Sequence, residues 1–361
     1  MFCRHGRRED RCIVCLGERR RAREAAAKKA SSSGKITSAR RASSSRSASR
    51  TAAAGAVGAR RASTSSQVRV KQMTRHAEDG WSHDLLPGLR SSGEALDLLG
   101  HLSRARVRLD RLASDAPGPY ATARALAGGD ADDREEATWL LFQVAYYGPL
   151  EGDEPFREID RLLVRRDDAL PAPDVLEAVA VGPRGAHAHD RGVATLQGYR
   201  DWSTRVGSQL TGLAAGGTDA ARRFDAAFRA LALPGLHRDA RFEFLVTLGS
   251  LGLLDAAPWS LLLDAGRDPV SVAAKRAFLT GDAVLLQRRF GAFARALGVP
   301  VAAFDLGLRN WDLRPGPSAP LGYLVAGVPA EPDADEVALL AAELGLSAGA
   351  EPAPEPVAAD E

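Results

Sequence analysis

Leu233-Pro234-Gly235-Leu236-His237-Arg238 stands between two helical patterns and opens the stretch that decides the fold, residues 233–311. The stretch runs on through Asp268-Pro269-Val270-Ser271-Val272-Ala273-Ala274-Lys275-Arg276, Gly281-Asp282 and Arg288-Arg289, and closes on Asp305-Leu306-Gly307-Leu308-Arg309-Asn310-Trp311. Proline and glycine punctuate apolar segments of helical length, and aspartates stand where helices would start. The stretch therefore predicts a helical nucleic-acid-binding core, with any chemistry at its polar positions.

Outward from it the same pattern holds. Residues 132–147 are the clearest upstream helix: Asp132, Asp133, Glu135 and Glu136 favour its first turn, and Trp139, Leu140, Phe142, Val144 and Tyr146 supply apolar surface. Further helices are expected over 93–113, 154–165, 190–213, 219–231, 238–253, 270–278, 282–297 and 333–344, and no series of alternating strands is found. The body, residues 77–347, reads as all-α, either one irregular helical domain or two lobes facing a cleft.

The net charge of +2 hides a segregation. Residues 1–75 hold 20 Lys and Arg against 4 Asp and Glu, a net of +16; the rest holds 28 against 42, a net of −14. A basic arm on an acidic body reads as a contact to DNA or another polyanion, because neutralising phosphates releases counterions. No run of about 18 apolar residues is present, so no membrane partner is expected.

All three cysteines fall in Cys3-x-His5-x6-Cys12-x2-Cys15. Three thiolates and one imidazole make a closed tetrahedral set for Zn2+, so a structural zinc unit is expected over residues 1–18. The body carries no cysteine, which suits a reducing, cytoplasmic and DNA-associated setting. Residues 19–76 are Ala, Ser, Arg, Lys and Gly with few larger apolar side chains, too few to offset the entropy of ordering, and read as a disordered basic linker. The tail, 348–361, is acidic and proline-rich and reads likewise.

Leu233-Pro234-Gly235 before a helix is half of a helix-hairpin-helix, with His237 where the second glycine would stand; Arg238 and Arg241 are placed to meet phosphate there. Asp268 and Asp282 each precede a helix and suit either N-capping or catalysis, with Lys275, Arg276, Arg288 and Arg289 close in sequence. Gln143 could read a base edge or sit satisfied in a core, and Trp311 could stack on a displaced base or fill the interior. His187-x-His189-Asp190 lacks a further metal ligand at helical spacing, and Asp190 reads as the cap of the helix bearing Tyr199 and Trp202.

Taken together, Phe244-Leu245-Val246-Thr247-Leu248-Gly249, Gly252-Leu253-Leu254, Asp268-Pro269-Val270, Ala273-Ala274-Lys275-Arg276, Gly281-Asp282, Arg288-Arg289, Leu297-Gly298-Val299-Pro300 and Asp305…Asn310-Trp311 resemble the alpha-glutamyl/putrescinyl thymine pyrophosphorylase family over residues 132–311. That resemblance implies a helix-hairpin-helix, DNA-glycosylase-like body that hypermodifies thymine in DNA. An activated pyrimidine would lose pyrophosphate and gain an amine. On it, Lys275, Arg276, Arg288 and Arg289 would neutralise the leaving pyrophosphate and Asp268 or Asp282 would position or deprotonate the incoming amine; the candidate catalytic residues are thus Asp268, Lys275 and Asp282, beside Arg238, Arg276, Arg288, Arg289, Gln143 and Trp311 as candidate contacts to substrate or DNA. A glycosylase-like hydrolysis and a non-catalytic DNA-binding scaffold with a zinc-bearing arm are the alternatives.

Overall fold

In the computed structural model the described residues are 78–115, 117–150, 154–177, 179–182, 184–263, 268–313 and 332–346, with the side chains of 312 and 313 left aside. The expected zinc unit, the basic linker and the acidic tail lie outside them. The described residues form twelve α-helices and no strand. In chain order these are α1 (Ser92–Ser114), α2 (Pro119–Ala127), α3 (Ala131–Tyr147), α4 (Pro173–Glu177), α5 (Ala194–Val206), α6 (Gln209–Ala214), α7 (Ala220–Ala230), α8 (Arg238–Ser250), α9 (Pro269–Phe278), α10 (Ala283–Leu297), α11 (Val301–Leu313) and α12 (Ala334–Glu343). The body is all-α. No single helix among these residues is long and apolar enough to cross a membrane.

Short polar side chains start the helices by taking N–H groups that have no intrahelical partner. Ser91 accepts from Glu94 N, Asp130 from Asp133 N, Asp219 from Arg222 N and Asp333 from Glu336 N. Gly207 (φ +82°) and Gly298 (φ +63°) end α5 and α10 in the left-handed conformation that glycine takes without steric cost.

Two apolar cores form. The first gathers α2 to α8, with the C-terminal end of α1 at Leu112. Within it Phe142 is fully buried, stacked on Tyr199 at 3.6 Å between ring centroids and edge-on to Phe244 at 5.6 Å. The second core gathers the rest of α1, from Ala95 to Ala105, with α9 to α12. Phe278, Phe290, Phe293 and Phe304 meet edge to face there, at 5.2 to 6.2 Å. Every extensive helix pair among the described residues falls within one core or the other, except α1 against α8. Both cores therefore hang on α1, with Leu109 packed against each.

Three expectations need correction. The helix expected over 154–165 is only a 3-10 turn, Ile159–Arg161. The backbone beyond it pairs with side chains of α3: Gln143 grips Val164 by both amide ends at 2.9 Å, Trp139 Nε1 donates to the same carbonyl at 2.7 Å, and Glu136 accepts from Arg166 N. The helix expected over 190–213 is two, broken at Gly207 and restarted by Ser208, whose hydroxyl accepts from Thr211 N. Nor does Asp190 cap it: α5 begins after Val193 with no side-chain cap, and Asp190 lies exposed in the turn His189–Arg191. α2, α4 and α11 were not expected. α11 is buried on all sides from Ala303 to Trp311, so no amphipathic period marks it.

Candidate functional site

The residues singled out in the sequence part into three groups. Asp268 is the N-cap of α9, accepting from Ser271 N at 2.9 Å and from its hydroxyl at 2.5 Å. Asp282 is the N-cap of α10, accepting from Leu285 N at 2.8 Å. Both carboxylates are thus committed to helix starts, with Pro269 at the first position of α9 where a missing N–H costs nothing. Asp268→Ala is expected to cost about 1 kcal/mol, while Asp268→Asn, which caps as well, should sit near wild type; the urea midpoint of each variant checks this.

The basic residues nearby do not converge. Arg276 lies over the indole of Trp311, 3.8 Å from its centroid, and pairs with Glu94. Arg289 donates to the carbonyls of Phe278 and Leu279, which satisfies the end of α9 where Leu279 holds a left-handed φ of +48°. Lys275 is half-buried and Arg288 exposed. Trp311 has no accessible surface, so it is enclosed rather than offered to a base. Gln143 is also fully buried and spends its amide on Val164.

Arg238 belongs to a different cluster, which sequence reasoning missed. Where the two cores meet, Arg108 of α1, Arg184 of the segment before α5, Arg238, Asp239 and Glu243 of α8, and Asp305 and Arg309 of α11 are all at least nine-tenths buried. Arg108 pairs with Glu243, and Arg184 bridges Glu243 at 3.5 Å and Asp305 at 2.7 Å. Arg238 reaches Asp305 at 2.5 Å and Asp239 at 3.2 Å, and Arg309 closes the chain on Asp239. Arg238 also donates to the Leu261 carbonyl, and its guanidinium lies over Phe242 at 4.8 Å.

Burial alone would push the Glu243 carboxyl up, but Arg108 and Arg184 outweigh it and hold it below the usual carboxylate range. Asp239 is likewise raised by burial and then drawn below its ordinary value by Arg184, Arg309 and Arg238. Burial keeps Tyr120, beside Arg108, protonated well above its usual range.

Glycines set Arg184 in this position. Gly148, with φ +71°, ends α3, and the chain at Gly182 and Gly185 lies directly on it. Gly182 N donates to Tyr147 O at 3.0 Å and His187 N to Tyr146 O at 3.0 Å. A Cβ on Gly182 or Gly185 would meet the backbone of Pro149 or Tyr147. The same contact brings His187 Nδ1 to 2.9 Å from the Tyr146 hydroxyl, and burial lowers the His187 pKa. His187 is thus a packed partner of Tyr146, and among the described residues no cluster of His, Cys, Asp and Glu could hold a metal. Cys3, His5, Cys12 and Cys15 lie outside them.

The turn Leu233-Pro234-Gly235 does join α7 to α8, with Gly235 at φ +83° and Thr195 Oγ1 donating to Pro234 O at 2.9 Å. The first residues of α8 face the charged cluster: Arg238 and Asp239 are both buried there.

Among the described residues, two clefts open to solvent bear on the site. One, of about 840 Å³, lies at the start of α3 between Asp130, Glu135, Arg166, Arg200 and Ser208. Burial raises its Glu135 carboxyl, but hydrogen bonds from Ser208 Oγ, Gln209 N and Leu210 N prevail and hold it below its ordinary range, so it serves the start of α6. The other, of about 410 Å³, lies where the cores meet, between Leu109, Val246, Leu254, Pro258, Pro300 and Ala302. Compared with known proteins, the chain matches no family model, no curated protein and no solved structure.

Proposed function

We propose that this chain is a nucleic-acid-associated scaffold: a basic arm, tipped by a structural zinc on Cys3, His5, Cys12 and Cys15, holds DNA, and the helical body is carried with it. One observation carries the reading, the segregation of +16 in residues 1–75 from −14 in the remainder. A body of that sign is repelled by phosphate, so attachment falls to the arm. Binding is favoured over base transfer because Asp268 and Asp282, the carboxylates such a reaction would use, are occupied as helix caps. A scaffold needs no free base.

The test is salt-dependent binding of the full chain to duplex DNA, beside a variant with Arg40, Arg41, Arg60 and Arg61 changed to Gln. The variant is expected to bind more weakly, and its plot of log affinity against log salt should flatten by up to about 4, roughly 0.9 for each phosphate that is no longer neutralised. Nucleosides from digested DNA, incubated with and without the protein, should be identical by mass spectrometry. A new nucleoside would establish the transferase or glycosylase-like alternative, and binding indifferent to salt would remove the arm from the interaction.

A further inference from the structure

Two apolar cores joined by a layer of charge do not open with equal ease. Parting either core exposes leucine and phenylalanine to water, at about 25 cal/mol for each Å². Parting the layer between them exposes mostly guanidinium and carboxylate groups, which recover the hydration that burial took away; a buried ion pair roughly breaks even against its own desolvation. Among the described residues the apolar bridge between the cores is narrow, made of Leu109, of Ala302 at the start of α11, of the chain at Leu261 to Leu263 and of the passage of α1 through both. The 410 Å³ cleft sits at the same joint, with α1 and α8 on its walls and the start of α11 at its rim.

We infer that the charged layer is a hinge: the α9 to α12 core swings as a body about α1 relative to the α2 to α8 core, and this motion sets the width of the cleft between Leu109, Val246, Pro258 and Ala302. Arg108 marks the pivot, since it lies on α1 between Ala105 of one core and Leu112 of the other. The motion breaks contacts of Arg184 and Arg238 with Asp305 and of Arg309 with Asp239, while the Arg108 to Glu243 pair ties the pivot to α8. The inference is independent of what the arm binds.

Thiol labelling in the full chain tests it, with sites separated by peptide mapping from the cysteines of the arm. Thr247→Cys reports on the joint, one turn beyond Glu243 on α8 and 2% exposed. Ala137→Cys and Ala273→Cys, both fully buried, report on the first and second cores. Under native conditions Thr247→Cys should label at least tenfold faster than either, with little urea dependence, and adding Asp305→Asn, at a contact the motion breaks, should quicken that site while the two core sites keep the urea dependence of global unfolding. Equal rates at all three sites, with the urea dependence of global unfolding, would show one cooperative body and overturn the hinge. Hydrogen exchange of the unaltered chain gives the same decision without substitution. Opening of α10 and α11 at a urea concentration distinct from that of α3 and α8 supports two bodies that part at the charged layer, and exchange of all four helices in one transition refutes it.

Discussion

Glu243→Ala should destabilise the body by about 3–5 kcal/mol, as removal of one partner from a buried charge pair does. Its carboxylate serves both Arg108 and Arg184, and all three side chains are at least nine-tenths buried. The substitution leaves two guanidinium groups in the interior with less negative charge than before. Against a total of about 5–15 kcal/mol for a domain, that is a large fraction. The urea midpoint should fall while the slope of the transition stays constant. The double variant Arg108→Ala with Glu243→Ala should recover part of the loss, since it removes one of the two stranded cations. Acid should act in the same direction. Glu243 and Asp239 titrate below their ordinary values in the folded body, so the stability they add is present above the ordinary carboxylate range, near about pH 4, and is lost as pH falls through their folded values.

Phe142→Ala should cost a similar amount, about 3–5 kcal/mol, by an unrelated route. The ring is fully buried in the first core and stacks at 3.6 Å on Tyr199, with Trp139 at 5.8 Å and Tyr146 at 6.2 Å in near-parallel planes. These neighbours cannot close on the cavity. Trp139 is tied to the Val164 carbonyl and Tyr146 to His187, so each is held by a hydrogen bond that its movement would break. Phe142→Leu should recover much of the loss by refilling volume. The two variants differ in their response to acid: Glu243→Ala should flatten the loss of stability on acidification, and Phe142→Ala should leave its shape unchanged.

The helical class and most helix starts were legible because their causes are local. Asp130, Asp219, Asp268, Asp282 and Asp333 each stand one residue before a helix and accept from its first free N–H groups. The charged joint was not legible. Arg108, Arg184, Asp239, Glu243, Asp305 and Arg309 are residues that ordinarily face water, and nothing in a one-dimensional pattern says that three helices and a loop turn them toward one another. A signal did exist in their setting: Asp239 and Glu243, like Asp305 and Arg309, stand four apart on helices rich in large apolar side chains. Charges buried on such helices must find partners inside. Gln143 and Trp139 show the same limit, since the backbone they bind lies more than twenty residues away.

The division of α1 between the cores also orders events in time. The first core draws on residues from Leu112 to Ala256, an unbroken length of chain, whereas the second combines Leu86 to Ala105 with Leu261 to Leu346. One core is thus an insertion within the other. On a ribosome the inner unit can complete itself while the earlier half of α1 still waits for α11 and α12, which close over it last, so synthesis presents that apolar stretch, Ala95 to Ala105, unsheltered for longest.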